Sequence, residues 1–320
     1  FFDTYMVLGD KKGTGAKIFE NFSLGVVTNR DAWAYNTSKK KLEENMTRMI
    51  AFYNDEVERF DAAHSGLDRK SREAVLDGFI DANPQRISWT RSLKQALSKN
   101  RKFHFHPDCL TTSLYRPFSK RWMYFNRTFN EMVYQMPRIF PETGMENLVI
   151  QLAGIGARAF SLIMTNQLPC LDNIEKGQSF PLYLYEKQDA KEDLLCDGRA
   201  AEYQRKCAIT DDALNHFQSA YPGMSLTKED IFYYIYGLLH SEGYRERYGD
   251  NLSKQLPRIP RMKRYEDFVA FAQAGRDLAD LHLNYESVDL NTHAKLSGPL
   301  GLRVTAQGVK GGHDPDFTVA

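Results

Sequence analysis

The sequence of 320 residues has few cysteines, no long apolar run and almost no net charge. The four cysteines form no C-x-x-C pair, which excludes a disulfide framework and favours free thiols in a reducing cytoplasm. No apolar stretch approaches the roughly 20 residues that a membrane-spanning helix needs. The net charge of +1 gives no information about partners. Hydrophobic residues make up 42% of the chain, so it can bury a full core and intrinsic disorder is excluded.

Catalytic motifs are also missing. The chain has no G-x-x-x-x-G-K-[ST], no G-x-S-x-G and no H-E-x-x-H, and residues 83–85 are not the Asn-Pro-Pro-aromatic motif of amino methyltransferases. The letters GIGARA at residues 154–159 match a dinucleotide fingerprint, but the fingerprint needs a helix directly after its glycines. The residues that follow are typical of a strand, so we interpret this segment as a hairpin turn. We predict no catalytic residue, and because the chain begins with Phe1 we expect it to be a fragment.

One short cluster could suggest a metal site. His104, His106 and Cys109 lie close together in the sequence, but a zinc site requires a fourth ligand at a regular spacing, and none follows nearby. A strand on which Phe103 and Phe105 alternate with the histidines explains the same residues. We therefore predict a strand here and no metal.

Periodicity and capping residues predict helices near residues 38–60, 69–79, 92–100, 210–221, 227–240, 244–256 and 265–283. Ser38 and Thr227 are the expected caps of two of them, Thr227 within a capping box. The expected core face of the last helix consists of Phe268, Phe271, Ala272, Leu278 and Leu281. Segments rich in aromatic and β-branched residues predict strands near residues 22–28, 121–125, 147–152, 160–165 and 180–185.

The charge is unevenly distributed along the chain. Between Arg86 and Arg138, eleven basic residues are opposed only by Asp108 and Glu131, which gives a local net charge of +9. A second basic stretch, residues 254–264, contains five basic residues and no acid. Two basic stretches on a neutral chain indicate a side that faces a polyanion.

The first basic stretch mixes cations, aromatic rings and amides. Guanidinium groups can pair with phosphates or read guanine, and amides can read adenine edges in the major groove. The candidate DNA-binding residues are Arg116, Lys120, Arg121, Asn126, Arg127, Asn130, Gln135 and Arg138. The alternative is that the aromatic residues form a β core while the basic side chains are simply solvated.

This segment carries a resemblance to a known family. The letters YRPFSKRWMYF at residues 115–125, followed by Pro137 and Arg138, resemble the C-terminal part of type ISP restriction–modification enzymes. Three further blocks agree with the family: LGVVTNRDAWAYN at residues 24–36, GQSFPLY at 177–183, and IFYYIYGLLH at 231–240 with YRERY at 244–248, LPRIP at 256–260 and AGRDLADLH at 274–282. The blocks occur in the family's order, which makes a chance match implausible.

Members of this family are single chains with a nuclease, an ATP-dependent helicase-like translocase, an adenine-N6 methyltransferase and a target recognition domain. The resemblance implies that this chain is the target recognition domain. Its implied partners are double-stranded DNA and the covalently linked methyltransferase and helicase domains. S-adenosylmethionine, ATP and magnesium would belong to those other domains. The last residues, 305–320, fit the family poorly and look truncated.

The expected fold class is α+β. It comprises a helical N-terminal connector at residues 1–85, a β-rich DNA-facing part at 86–200, a helical part at 201–290 and an irregular tail at 291–320. The expected function is the choice of a DNA target for methylation and ATP-dependent cleavage by other domains. Two alternatives remain open: a scaffold that holds neighbouring domains with little DNA contact, and an enzyme with an unrecognised site.

Overall fold

The computed structural model describes residues 5–10, 13, 15–188, 203–287, 294–296 and 317–319. The chain forms two compact units, Phe1–Leu283 and Asn284–Ala320. In the second unit, the short strands Ala294–Leu296 and Phe317–Val319 pair antiparallel. No helix in the described part combines the length and the apolar character needed to cross a membrane.

The first unit mixes helices and short strands, and the α+β class is confirmed. Its described helices are α1 (Asp31–Ala34), α2 (Lys39–His64), α3 (Arg69–Phe79), α4 (Arg91–Ser98), α5 (Met136–Ile139), α6 (Asp211–Gln218), α7 (Lys228–His240), α8 (Glu242–Leu252) and α9 (Tyr265–Leu283). Its described strands are β1 (Tyr5–Val7), β2 (Ser23–Leu24), β3 (Tyr35–Asn36), β4 (Leu110–Arg116), β5 (Ser119–Tyr124), β6 (Val149–Leu152), β7 (Leu162–Thr165), β8 (Leu168–Pro169), β9 (Gln178–Pro181), β10 (Tyr183–Lys187), β11 (Tyr203–Cys207) and β12 (Arg258–Pro260).

The helix ends follow from local capping. The Ser38 hydroxyl accepts a hydrogen bond from the Lys41 amide at the start of α2, and Thr227 and Asp230 form the capping box of α7. Helices α3 and α9 have the predicted bounds. Helix α8 ends at Leu252, four residues before the predicted end, and the Lys254 amide beyond it bonds three residues back to the Asn251 carbonyl, as in a 3₁₀ turn.

The core face predicted for α9 is wrong at Leu281, which is 50% exposed. The residues that α9 buries completely are Phe268, Ala272, Gly275 and Ala279, spaced by three and four. Leu281 lies two positions beyond Ala279, which turns its side chain about 200° away from that face.

The described residues form two four-stranded sheets. The first has the order β2-β9-β6-β7 and is antiparallel, and the second has the order β3-β5-β4-β8 with β8 parallel to β4. Strands β6 and β7 pair antiparallel around residues 154–159, so the hairpin interpretation of GIGARA is confirmed. The strand predicted at residues 180–185 is divided at Leu182, which leaves the sheet to bond with Leu148 and Ala208.

The strand predicted at residues 103–106 is not formed. The side-chain amide of Asn54 on α2 both donates to the Phe103 carbonyl (2.8 Å) and accepts from the Phe103 amide (3.0 Å). This amide satisfies the backbone groups that a neighbouring strand would have satisfied. Phe103 and Phe105 nevertheless pack against the core while His104 and His106 are exposed. Within the described ranges, no three His, Cys, Asp or Glu side chains lie close enough to hold a metal.

Helices α7 and α9 approach each other at two glycines. A Cβ atom added at Gly275 would lie 2.0 Å from the Tyr233 carbonyl oxygen, and one added at Gly237 would lie 2.2 Å from the Phe271 carbonyl oxygen. The two backbones are therefore in direct contact, which only glycine permits. This helix pair belongs to the larger of two hydrophobic clusters, while α2, α3 and α4 build the smaller one.

Candidate nucleic-acid interface

The candidate cations lie on the β4–β5 hairpin, and the strand period divides them between two faces. Lys120 and Arg121 are consecutive residues of β5, so their side chains point to opposite faces of the sheet. The ring contacts agree with this division. Arg121 lies over Tyr115 of β4, whereas Trp122, on the other face, lies beneath Lys39 of α2. The basic residues therefore do not form one flat positive surface.

On the first face, two guanidinium groups share one aromatic ring. The Cζ atoms of Arg116 and Arg121 lie 4.1 Å and 4.3 Å from the ring centre of Tyr115. Arg116 also donates to the Tyr115 carbonyl (2.7 Å). Neither guanidinium forms an ion pair with any carboxylate in the described part of the chain. Cation–π contacts hold the two charges in place without neutralising them.

Tyr115 is itself fixed from below. Its hydroxyl donates to the Asp31 carboxylate (2.9 Å), and its ring lies 4.7 Å from that of Tyr35. Burial raises the pKa of Tyr115, and the Asp31 carboxylate raises it further. The Thr28 hydroxyl donates to the same carboxylate. Residues of the TNRDAWAYN segment thus support the platform on which the arginines lie.

On the second face, Lys39 is a cation that the sequence analysis did not select. Its Nζ atom lies 4.9 Å from the ring centre of Trp122. It opens a first turn of α2 that contains three lysines and no acid. Cations are disfavoured there by the helix dipole, since the N-terminus carries partial positive charge. That unfavourable placement was the signal in the sequence that could have identified Lys39.

The two asparagines of the candidate set are used by the turn after β5. The Asn126 side chain accepts from the Thr128 amide (2.8 Å). The Asn130 side chain donates to the Tyr124 carbonyl (3.1 Å) and accepts from the Asn126 amide (2.9 Å). Asn130 is also only 2% exposed. Burial and these internal bonds remove Asn130 from any surface that DNA could touch in this conformation.

The remaining candidates differ in availability. The side chains of Arg127 and Gln135 are exposed. Arg138 on α5 forms an ion pair with Glu186 (3.1 Å), and both side chains are about half exposed. Arg138 must exchange this partner before it can contact a phosphate.

A further arginine is kept inside the fold. Arg30 is 3% exposed, and none of its three side-chain nitrogens has a hydrogen-bond partner among the described residues. Burial lowers the pKa of Arg30 to about 10, and the nearby Glu131 carboxylate opposes this shift. Arg30 is therefore a buried charge and does not contribute to the surface.

A large concavity, of about 1080 Å³, does not suit a polyanion. It runs beside β4 and the loop at residues 141–148, and Trp122 lies on its wall. Among the described residues that line it, Arg205 is the single cation, and four carry carboxylates: Asp108, Glu142, Glu146 and Glu229. On the hairpin, by contrast, Arg116 and Arg121 form no ion pair with a described carboxylate.

These features define a class: an α+β domain whose hairpin displays cations held on aromatic rings. A family model described as the Type ISP C-terminal specificity domain matches residues 17–312. The chain belongs to this family. Among curated proteins, none matches the sequence.

Three solved structures are similar to the chain. One is a DrdV–DNA complex determined by cryo-electron microscopy, with 34% identity, a TM-score of 0.74, and coverage of 89% of this chain and 26% of that one. Another is a nuclease-deletion mutant of the Type ISP restriction–modification enzyme LlaGI in complex with a DNA substrate mimic, with 32% identity, a TM-score of 0.73, and coverage of 91% and 20%. The third is the ATP-dependent Type ISP restriction–modification enzyme LlaBIII bound to DNA, with 32% identity, a TM-score of 0.73, and coverage of 92% and 17%. The chain thus spans about a quarter or less of each of these proteins.

Proposed function

We propose that this chain binds duplex DNA and selects the target sequence for a larger restriction–modification enzyme. The observation that carries the proposal is the family match over residues 17–312, together with similar structures that are DNA complexes. The hairpin supports it at the level of residues, because its two stacked arginines make no ion pair with a described carboxylate.

The proposed contacts follow the two faces of the hairpin. Arg116 and Arg121, held in a fixed orientation by Tyr115, are suited to bidentate contacts with guanine or phosphate. Lys120 and Lys39 belong to the other face and are suited to phosphates.

The residues after the hairpin divide into contacting and supporting groups. Arg127 and Gln135 are exposed and would complete the contacts, with Gln135 able to read an adenine edge. Arg138 would join them after leaving Glu186. Asn126 and Asn130 would act indirectly, because they hold the turn that positions Arg127.

Chemistry would come from the rest of the parent enzyme. The domain would present an adenine that is flipped into the pocket of a linked methyltransferase. S-adenosylmethionine, ATP and magnesium would bind to the methyltransferase and helicase domains, outside this chain.

The test is the affinity of the 320-residue chain for duplex DNA as a function of salt. We expect the logarithm of the association constant to fall linearly with the logarithm of the salt concentration, with a slope of about −0.9 per phosphate contact. Repeated selection from randomised duplexes should enrich one asymmetric sequence. If the chain binds no duplex even at low salt, the alternative of a scaffold that holds neighbouring domains is correct. If it binds duplexes but enriches no sequence, it does not select the target.

A further inference from the structure

A second, smaller cleft lies away from the hairpin, between β1, α8 and the segment that leads into β12. Its volume is about 370 Å³, within the range of small-molecule sites. None of the described residues that line it carries a carboxylate. Besides tyrosine hydroxyls, its polar side chains are two guanidiniums and two amides, from Arg247, Arg258, Asn251 and Gln255.

The cleft also has aromatic walls. Tyr244 is buried, and its hydroxyl donates to the Arg258 carbonyl (2.7 Å), which fixes the start of β12. The ring of Tyr248 packs 4.9 Å from that of Tyr244 and remains half-exposed. On the opposite side, the ring of Tyr5 on β1 is 47% exposed. Two partly open rings therefore border one cavity.

The cations lie over these rings. The Arg258 guanidinium lies 4.7 Å from the ring centre of Tyr5 and donates to the Tyr5 hydroxyl. The Arg247 guanidinium is exposed and lies 5.8 Å from the ring centre of Tyr248. Each aromatic wall thus has an arginine over it, and an anionic ligand would meet no carboxylate among the described lining residues.

We infer that this cleft binds a nucleotide. The base stacks on a tyrosine, the phosphate pairs with Arg247 and Arg258, and the amides of Asn251 and Gln255 bond to the base edge. Aromatic faces accept any base, and arginine pairs phosphates bidentately, so the residue types match both halves of the ligand. The same chemistry is presented by a free nucleotide and by an unpaired nucleotide of a DNA strand. None of the hairpin residues lines this cleft.

The experiment is a calorimetric titration of the full chain with dAMP. We expect saturable binding of one dAMP per chain, with deoxyadenosine and deoxyribose 5-phosphate each binding at least about tenfold more weakly because each lacks one half of the contacts. A five-nucleotide deoxyadenosine strand that binds about tenfold more tightly than dAMP identifies a strand as the ligand. Equal affinity of the two identifies a free nucleotide.

Two variants and two controls make the test specific. Arg247→Gln should weaken dAMP about tenfold and leave deoxyadenosine unchanged, whereas Tyr248→Leu should weaken both. Lys254→Gln removes an exposed charge of the same region that does not line the cleft, and should change nothing. Arg121→Gln should also leave dAMP binding unchanged, which separates this site from the hairpin. Absence of saturable binding up to about 10 mM, or equal losses in Arg247→Gln and Lys254→Gln, would overturn the inference.

Discussion

The α7–α9 helix pair and the β4–β5 hairpin divide the work of the domain between them. In the helix pair, two glycines bring the backbones into contact, and the buried hydroxyls of Tyr234 and Tyr236 are hydrogen bonded. In the hairpin, half-buried arginines lie on Tyr115 with no described carboxylate as partner. The comparison shows that the helix pair stabilises the fold through a contact too close to accept an added side-chain atom. The hairpin instead supports the proposed DNA binding, because Tyr115 orients Arg116 and Arg121 without pairing them with a described carboxylate.

The largest effect on stability should come from adding a side chain at the glycine contact between α7 and α9. Gly275→Ala places a Cβ 2.0 Å from the Tyr233 carbonyl oxygen, so the helices must separate. We expect a loss of about 3 kcal/mol or more in the free energy of unfolding, measured by urea titration. Gly249→Ala on α8 is the matched control, since no atom lies within 4 Å of its added Cβ. It should stabilise by up to about 1 kcal/mol, and equal values for the two variants would break the comparison.

Changes in the hairpin should instead lower DNA affinity and leave the free energy of unfolding almost unchanged. The double change of Arg116 and Arg121 to Gln should lower duplex affinity and reduce the salt slope by about one unit per lost phosphate contact. The free energy of unfolding should change by less than about 1 kcal/mol, because neither guanidinium is fully buried. Arg91→Gln is the control, since Arg91 contributes to the same local net charge but lies on α4. A similar loss of affinity in Arg91→Gln would mean that charge alone, and not position, determines binding.

An intermediate effect on stability should follow from changing Asp230, which belongs to the capping box of α7 and also bonds to α9. Asp230 closes the box with Thr227 and also accepts from Arg276 of α9 (2.9 Å). Burial would raise the pKa of Asp230, but the bonds from Thr227 and Arg276 outweigh it and hold this pKa below its usual range.

A carboxyl with a depressed pKa in the folded state adds stability above its unfolded pKa of about 3.9, and this stability is lost as the pH falls through the folded pKa. Asp230→Asn should therefore cost about 1 kcal/mol at pH 7 and progressively less in acid. Glu229→Gln, an exposed neighbour outside the box, is the control for unfolding curves recorded across pH. A cost for Asp230→Asn that does not change with pH would contradict this assignment.

The smallest effect should concern the ion pair between Arg138 and Glu186. Both partners are about half exposed, so breaking the pair should cost no more than about 1 kcal/mol. Glu186→Gln should release both Arg138 and Lys206, which lies 2.8 Å from the same carboxylate, and raise duplex affinity by at most about fivefold at low salt. Lys206→Gln in the same background separates the two cations, because it leaves only Arg138 released. Lower affinity in this variant would exclude Arg138 from the interface.

The helices were predictable because their signals are local. Ser38 and Thr227 set the starts of α2 and α7 within the segments themselves, whereas α2 continues to His64, four residues beyond its predicted end. Strand partners depend on residues far away in the chain. The residues around Phe103 were expected to form a strand, but the Asn54 amide on α2 replaces the strand partner.

The candidate site shows the same limit. The sequence located the cationic and aromatic segment, but not which side chains share a face. Lys120 and Arg121 diverge because they are adjacent in a strand, and Lys39 reaches the hairpin because β3 pairs with β5 just before α2 begins. The amide of Asn130 looked available in the sequence, yet the turn after β5 uses it internally.

The pairing of β1 with β12 has a consequence for how the domain is made. Tyr5–Val7 bond to Arg258–Pro260, so about 250 residues separate the two partners. At roughly 5–20 residues synthesised per second, β1 leaves the ribosome tens of seconds before its partner. During that interval the backbone groups of β1 are unpaired and can bond to wrong partners. Pairings between residues so far apart in the sequence also form slowly. We expect the nascent chain to become resistant to protease only after residue 260 has emerged.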